Sequence, residues 1–272
     1  MKIALTLFAI ATSLFSIAGN KDSTGNAGDN LDLQAVMELF KNSQNLEEFE
    51  KALNTESNQV NNLDLNADGE IDYITVIDRA DSNAHAIVLQ VPINEIESQD
   101  VAVIQLEKSG AEAATIQIQG DEELYDEDYL IEPYEPQANY VGKDEYDAKA
   151  AANTNVVVNV WAWPAVKFVY GPRYTPYVSP WRYRHYPVWF KPWRPVAWAV
   201  YHPRIIRYHK HYRVVRMHRT RVAHRVYRRH AVRSAVYHKN HPRMKSNGGK
   251  IHPKVRKQGS PRGGRPGGGR RR

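Results

Sequence analysis

The stretch that decides the fold is residues 114–119, Ala114-Thr115-Ile116-Gln117-Ile118-Gln119, in which apolar residues alternate with polar ones. A period of two places the apolar side chains on one face of a β-strand and the polar ones on the other. Three earlier runs are also rich in Val and Ile, at residues 71–78, 85–93 and 101–107. Because the short turns between these runs leave no room for helical crossovers, we predict a roughly four-stranded antiparallel meander.

Two helical stripes precede the strands. Their apolar residues follow the spacing of one helical face: Leu33, Val36, Met37 and Phe40 in the first, and Leu46, Phe49 and Leu53 in the second. Asn30 or Asp32 can cap the first helix, and Asn45 with Glu48 resembles a capping box for the second. The sequence therefore predicts an α+β domain at residues 31–137, in which two N-terminal helices pack on the meander.

The charge is distributed unevenly along the chain. Up to Asp147 the sequence holds all 30 acidic residues and only seven of its 37 Lys and Arg, a net charge of −23, whereas the remainder carries +30. A single folded surface normally mixes both signs, so this split predicts an acidic body followed by a basic tail. The chain has no Cys, which excludes a disulfide framework, a thiolate metal site and a Cys nucleophile.

The N-terminus has the pattern of a secretory signal. Lys2 supplies a positive charge, residues 3–17 are almost all apolar, and Ser16-Ile17-Ala18 offers small residues for cleavage. A membrane anchor is the alternative, but about 15 apolar residues are fewer than the roughly 20 that span a bilayer. We therefore predict a signal peptide at residues 1–18, a flexible leader at residues 19–30, and export to the periplasm, the outer-membrane surface or the extracellular medium.

The sharpest motif is D-x-N-x-D-G-x-x-D at residues 64–72. The oxygen side chains at its positions 1, 3 and 5 can converge on a hard cation, Gly69 permits a sharp turn, and Glu70 can offer its backbone carbonyl. The spacing therefore predicts a Ca²⁺ loop. Because Asp, Asn and Gly also favour turns, a polar hairpin turn without a cation is the alternative.

This loop resembles the calcium loops of EF-hand and dockerin modules and, more closely, the loop of integrin-type FG-GAP repeats, in which an Asp at position 9 completes the site and a strand follows. The resemblance implies that Asp64, Asn66, Asp68 and Asp72 are side-chain ligands. It covers nine to twelve residues, so it implies a site and not a fold. An EF-hand has Glu at position 12, where this sequence has Thr75, so we do not expect a helix-loop-helix sensor.

The basic tail follows a polar linker at residues 138–155. Residues 156–203 contain all six Trp and are interrupted by many Pro, so neither a helix nor a sheet can run through them. Residues 204–272 are rich in Arg and His and end in a Gly-Arg low-complexity segment. We predict that the tail is largely irregular or disordered, and the alternative is a packed extension of the body. Neighbouring Lys and Arg disfavour a transition-metal site at the tail histidines.

The tail combines aromatic rings with Arg, which suits a membrane interface, sugar rings or stacked bases. We predict that ten of its residues bind an anionic surface: Trp181, Arg182, Arg184, Trp189, Trp193, Arg194, Arg213, Arg216, Arg228 and Arg229. The expected partner is an anionic envelope lipid or polysaccharide. The alternatives are extracellular nucleic acid and self-association, in which the body of one molecule pairs with the tail of another.

No catalytic motif is present. The sequence lacks G-x-S-x-G, H-E-x-x-H and a phosphate-binding glycine loop, and the body has one histidine, His85. We therefore predict a non-enzymatic binding or structural protein, with a hydrolase built from the abundant carboxylates as the alternative. The whole layout resembles exported proteins of Gram-negative bacteria that end in Tyr/Trp/Pro/Arg/His-rich tails, and that resemblance implies no particular activity.

Overall fold

The four predicted strands are present, and two further strands extend their sheet. The computed structural model describes residues 23, 25–125, 129–135 and 157–241. The strands are β1 (Thr75–Asp81), β2 (Ala84–Pro92), β3 (Ser98–Gly110), β4 (Ala113–Gly120), β5 (Leu130–Pro133) and β6 (Tyr212–Val215). Each pairs antiparallel with the next, in the order β1 to β6. The predicted combination of helices with an antiparallel sheet is confirmed, and the predicted number of strands is corrected from four to six.

The first strand begins later than its Val- and Ile-rich run suggests. Residues 71–74 were expected to belong to it, yet the Ile71 amide donates to the Trp193 carbonyl at 2.7 Å and the Asp72 amide donates to the Leu63 carbonyl at 2.8 Å. These bonds hold the segment against other parts of the chain rather than along β2. β1 therefore starts at Thr75, directly after the predicted calcium loop.

Both predicted helices form, and their caps follow the sequence signals. They are α1 (Leu33–Asn42) and α2 (Leu46–Leu53). Asp32 Oδ1 accepts a hydrogen bond from the Ala35 amide, and Asn45 Oδ1 accepts one from the Glu48 amide, both at 2.8 Å. Each bond satisfies an amide that has no partner inside its helix. The apolar stripes of both helices are buried against one face of the sheet, where they form the main core with alternate residues of β2, β3 and β4.

Much of the basic tail is part of the fold. The described tail contains α3 (Pro164–Val169), α4 (Trp198–Ile205), α5 (Arg221–His230), α6 (Ala235–Asn240) and the 3₁₀ helix Ile206–His211. Its main-core residues are at most 5% exposed: Val160, Ala165, Val166, Val169, Tyr201, Ile205, Tyr212 and Tyr237. Residues 171–197 have the irregular backbone that their prolines predict, but they too pack on the body. The expectation of a separate tail is corrected for residues 157–241.

The second face of the sheet is covered by α5. Val226 and Tyr227 of this helix pack on Ala86, Val88 and Val103 in a smaller apolar cluster. The helix is amphipathic because its apolar residues recur at helical spacing while the rest are mostly basic. The sheet therefore lies between two helical layers, and the outer layer comes entirely from the tail.

The last two strands escaped the sequence-based prediction for a physical reason. β5 and β6 are only four residues long, and β5 ends in Pro133. They pair with each other through Leu130 opposite Val215 and Ile131 opposite Val214. Because these partners lie far apart in the sequence, no local alternation or turn signal marks their pairing.

The last residues of the predicted flexible leader, 27–30, are part of the fold. A 3₁₀ helix forms at Ala27–Asn30, and the Gly28 amide donates to the Leu124 carbonyl at 2.9 Å. A Cβ atom at Gly28 would lie 2.5 Å from that carbonyl oxygen, so this close approach requires glycine. The predicted signal peptide, the linker at 138–155 and residues 242–272 lie outside the described residues. Within the described ranges no helix is long and apolar enough to cross a bilayer.

Candidate functional site

The predicted calcium loop folds around its own oxygen side chains. Asp64 accepts hydrogen bonds from the Asp68 amide at 3.1 Å and from the Gly69 amide at 3.0 Å. Asn66 Oδ1 accepts from the Asp68 amide, and Asp68 Oδ1 accepts from the Glu70 amide, both at 2.9 Å. Gly69 adopts a φ of 84°, in the left-handed region that glycine tolerates. The loop thus turns its oxygens inward.

Asp72 closes the loop from the core side. Its side chain is buried and accepts a hydrogen bond from the Leu65 amide. Burial, helped by the negative charges of Asp64 and Asp68, raises the pKa of Asp72 to about 7. The loop therefore concentrates negative charge that a bound cation would neutralise.

The donor set suits a hard cation, although the carboxylates alone do not form a metal centre. Across the described residues, no group of three or more His, Asp or Glu side chains is placed to hold a metal ion. A Ca²⁺ ion at this loop would also need the Asn66 side-chain oxygen and the Glu70 carbonyl, which are the oxygen ligands that calcium prefers. The five predicted ligands are thus brought into one loop, and calcium binding remains a prediction.

An aromatic cluster packs beside the loop and uses two of the predicted binding residues. Tyr73 makes an edge contact with Phe190, with ring centroids 4.9 Å apart, and Trp189 and Trp193 pack on Phe190 at 6.3 and 6.0 Å. The Lys51 ammonium lies 5.7 Å from the centre of the Trp189 ring. Trp189 is 43% exposed, but its ring also contacts Tyr73 of the body at 6.3 Å, so it helps to attach the tail.

Arg213 faces inward and pairs with a buried carboxylate. Its Nη2 lies 2.8 Å from Glu132 Oε1, and Arg219 Nε lies 2.8 Å from Glu132 Oε2. Gln117 Nε2 also donates to Glu132 at 3.2 Å. Glu132 is 4% exposed, so two tail arginines neutralise a charge that the sheet would otherwise bury alone. Arg213, one of the ten predicted anion-binding residues, therefore binds a carboxylate of its own chain.

A second body carboxylate caps the main tail helix. Glu107 Oε1 accepts hydrogen bonds from the Val222 amide at 2.6 Å and the Ala223 amide at 2.9 Å, at the start of α5. The N-cap residue Thr220 makes no capping bond of its own, and its hydroxyl donates instead to Gln105 on the sheet at 2.9 Å. A negative charge at a helix N-terminus also complements the helix dipole.

Two more body carboxylates hold the segment that leads into α6. Asp100 accepts a hydrogen bond from the Val232 amide at 2.7 Å, and burial raises the pKa of Asp100 to about 6. Glu97 accepts from the Ser234 hydroxyl at 2.6 Å and the Val236 amide at 3.0 Å, and the Ser234 bond contributes most to the lowered pKa of Glu97. Sequence reasoning missed these docking carboxylates because an isolated Glu or Asp in a strand carries no local sign of a distant partner.

The remaining predicted residues lie at separate places on the surface. The exposed cations among them are Arg182, Arg184, Arg194, Arg216, Arg228 and Arg229. On α5, Arg228 and Arg229 share the exposed side with Arg221 and Arg225, opposite the buried Val226. The ten residues thus come from several different segments of the tail, and whether they act as one surface stays a prediction. The basic face of α5, defined here as Arg221, Arg225, Arg228 and Arg229, is the densest group of cations in a single described element.

Comparisons with protein-family models, with curated proteins and with solved structures give no match for this chain. The arguments about its function therefore depend on its own residues.

Proposed function

We propose that the protein is an exported, non-enzymatic binding protein that adsorbs to anionic surfaces of the cell envelope. The basic face of α5 is the main contact, and a Ca²⁺ ion stabilises the domain that carries it. The observation that carries the proposal is the outward charge of α5: four arginines point away from the sheet, while the apolar side of the same helix is buried.

The distribution of charge supports adsorption to an external partner. No acidic residue occurs after Asp147, so the tail has none of its own to neutralise these arginines. The body carboxylates Glu97, Asp100, Glu107 and Glu132 already bind other tail groups. The same internal pairing weighs against self-association, since it removes these four carboxylates from contact with a second molecule.

Charge reversal on α5 is the direct test. We expect the combined change Arg225→Glu, Arg228→Glu and Arg229→Glu to weaken binding to phosphatidylglycerol vesicles by at least about 100-fold, because each basic residue near an anionic membrane contributes about 1 kcal/mol. Co-sedimentation with vesicles over a salt series measures this, and wild-type binding should weaken as salt increases.

A matched variant separates this face from net charge alone. This control variant makes the same change of charge at three exposed positions outside α5: Lys167→Glu, Arg173→Glu and Lys191→Glu. We expect this control to retain most of the vesicle binding. An equal loss in both variants would contradict a specific role for α5, and tighter binding of duplex DNA than of vesicles at the same salt would favour the nucleic-acid alternative.

The calcium part of the proposal is tested by thermal unfolding. We expect 10 mM Ca²⁺ to raise the melting temperature of the full chain by about 5–10 °C over a chelator, because an ion at ~100 times its dissociation constant contributes about 2.7 kcal/mol. Asp68→Ala should abolish the difference, whereas Asp81→Ala, an exposed carboxylate outside the loop, should preserve it. Equal Ca²⁺ responses in the two variants would rule out this loop as the site.

The pH dependence of the calcium effect gives an independent readout. Ca²⁺ requires the ionised form of its carboxylate ligands. Because the pKa of Asp72 is raised to about 7, this group is protonated in much of the protein at pH 6. We therefore expect the calcium-dependent rise in melting temperature to shrink as the pH falls from 8 to 6 and the bound ion to displace a proton near pH 7.

A further inference from the structure

A groove lies between the body and the irregular part of the tail. Its volume is about 630 Å³, in the range of sites that hold small molecules. One wall comes from β1, the end of β2 and the turn at residues 94–98, and the other wall is the tail segment 179–185. Two of the predicted anion-binding residues, Trp181 and Arg182, line it.

The tail wall is fixed in place before any ligand binds. The Ser179 amide donates to the Val76 carbonyl at 2.9 Å, and the Ser179 hydroxyl donates to the buried carboxylate of Glu50 at 2.9 Å. A tight turn follows, in which the His185 amide donates to the Arg182 carbonyl at 2.8 Å. Directly after the turn, the Tyr186 ring stacks on Tyr73 of the body, with ring centroids 5.3 Å apart. Since both ends of this segment are anchored, little conformational entropy would be lost on binding.

The groove presents a planar aromatic surface and a cation side by side. The Trp181 and Tyr183 side chains are half-buried, and the Arg182 side chain is exposed. No carboxylate among the described residues forms an ion pair with Arg182. His185 Nδ1 lies 3.0 Å from the Tyr183 carbonyl, which can only accept, so Nδ1 carries a hydrogen.

The opposite wall supplies neutral polar groups. Asn94 Oδ1 accepts hydrogen bonds from the Ile96 and Glu97 amides at 2.9 and 2.8 Å, which orients the Asn94 side chain and leaves its NH₂ group as a donor for a ligand. Gln90 Nε2 donates to Asp100 at 2.7 Å, which leaves its oxygen as an acceptor. The groove thus combines a donor and an acceptor for hydroxyl groups with rings for the apolar face of a sugar.

We propose that this groove binds an acidic saccharide, with its sugar ring against Trp181 and its carboxylate or phosphate on Arg182. Glu95 lines the same groove, where its carboxylate can accept hydrogen bonds from sugar hydroxyls. The inference rests on the proposed function, since it names the class of envelope polymer that the protein would recognise.

Trigalacturonate, a short oligomer of a carboxylate sugar, is the probe, and its neutral methyl ester is the matched ligand. Isothermal titration of the full chain should show binding of the acid and at least tenfold weaker binding of the ester. We expect Arg182→Gln and Trp181→Ala each to weaken binding of the acid at least tenfold. Arg173→Gln, which removes an exposed charge outside both the groove and α5, should leave it unchanged.

Three results would overturn the proposal: equal affinity for the acid and the ester, an equal loss in Arg173→Gln and Arg182→Gln, or tighter, Arg182-dependent binding of single-stranded DNA. Because Trp181→Ala could disturb the groove, Arg182→Gln at an exposed position gives the decisive comparison. The wild-type protein distinguishes this inference from the proposed function. Vesicle binding without trigalacturonate binding contradicts only the groove, whereas trigalacturonate binding without vesicle binding contradicts only adsorption through α5.

Discussion

A chain that ends at residue 135 is expected not to fold cooperatively. The truncation removes eight buried side chains from the main core, four of them large: Tyr201, Ile205, Tyr212 and Tyr237. Burial of one large apolar side chain contributes about 1.5–3 kcal/mol, and a typical domain is stable by only about 5–15 kcal/mol in total. The loss is therefore comparable with the whole stability of the domain, before the exposed face beneath α5 is counted.

Circular dichroism and thermal unfolding of two truncated chains test this expectation. A chain ending at His241, which keeps every described tail element, should unfold in a single transition close to that of the full chain. The chain ending at residue 135 should show a weak, broad transition or none. Cooperative unfolding of the short chain within a few degrees of the long one would mean that the acidic body folds alone, as the sequence-based domain boundary at residue 137 suggested.

The second large effect is expected from the ion pairs of Glu132. Replacing both partners, Arg213→Met and Arg219→Met, leaves this buried carboxylate without a counter-charge. Removing the partners of a buried charge costs about 3–5 kcal/mol, because the remaining charge stays away from water and unpaired. Denaturant unfolding should therefore show a loss of that size. Arg216→Met, an exposed neighbour in the sequence, should change the free energy of unfolding by less than about 0.5 kcal/mol.

A rescue variant shows whether the unpaired charge is the cause. Adding Glu132→Gln to the double Arg variant removes the charge and keeps a polar side chain that Gln117 can still contact. We expect most of the lost stability to return. Failure of Glu132→Gln to restore stability would indicate that the arginines stabilise the protein through packing of their side-chain stems, and the charge argument would be wrong.

Sequence patterns predicted those parts of the fold that are formed by residues close together in the sequence. The alternation in residues 114–119 corresponds to β4, Asn45 caps the second helix as predicted, and Asp32 is the cap of the first among its two candidates. The oxygen side chains that predict a calcium loop also lie within nine residues, and that site stays a prediction. In each case the partners are neighbours in the sequence, so periodicity and spacing carry the information.

The tail was misjudged because its partners are distant. Pro correctly predicted the irregular backbone of residues 171–197, but it says nothing about whether such a segment packs. The separation of charge predicted two parts, and yet the body and the tail share one core and are joined by ion pairs of Glu132 with Arg213 and Arg219. The groove beside residues 179–185 was hidden for the same reason, since its two walls come from segments far apart in the chain.

The pairing of β5 with β6 also affects how the chain folds. Arg213 and Glu132, which lie opposite each other in these strands, are 81 positions apart, and the sheet cannot be completed until the C-terminal strand arrives. Contacts of such long sequence separation slow folding, because a large loop must close before the contact is gained. A nascent chain would therefore stay without its final sheet edge until most of its length had been synthesised, which would suit the proposed export, since an exported chain crosses a membrane unfolded.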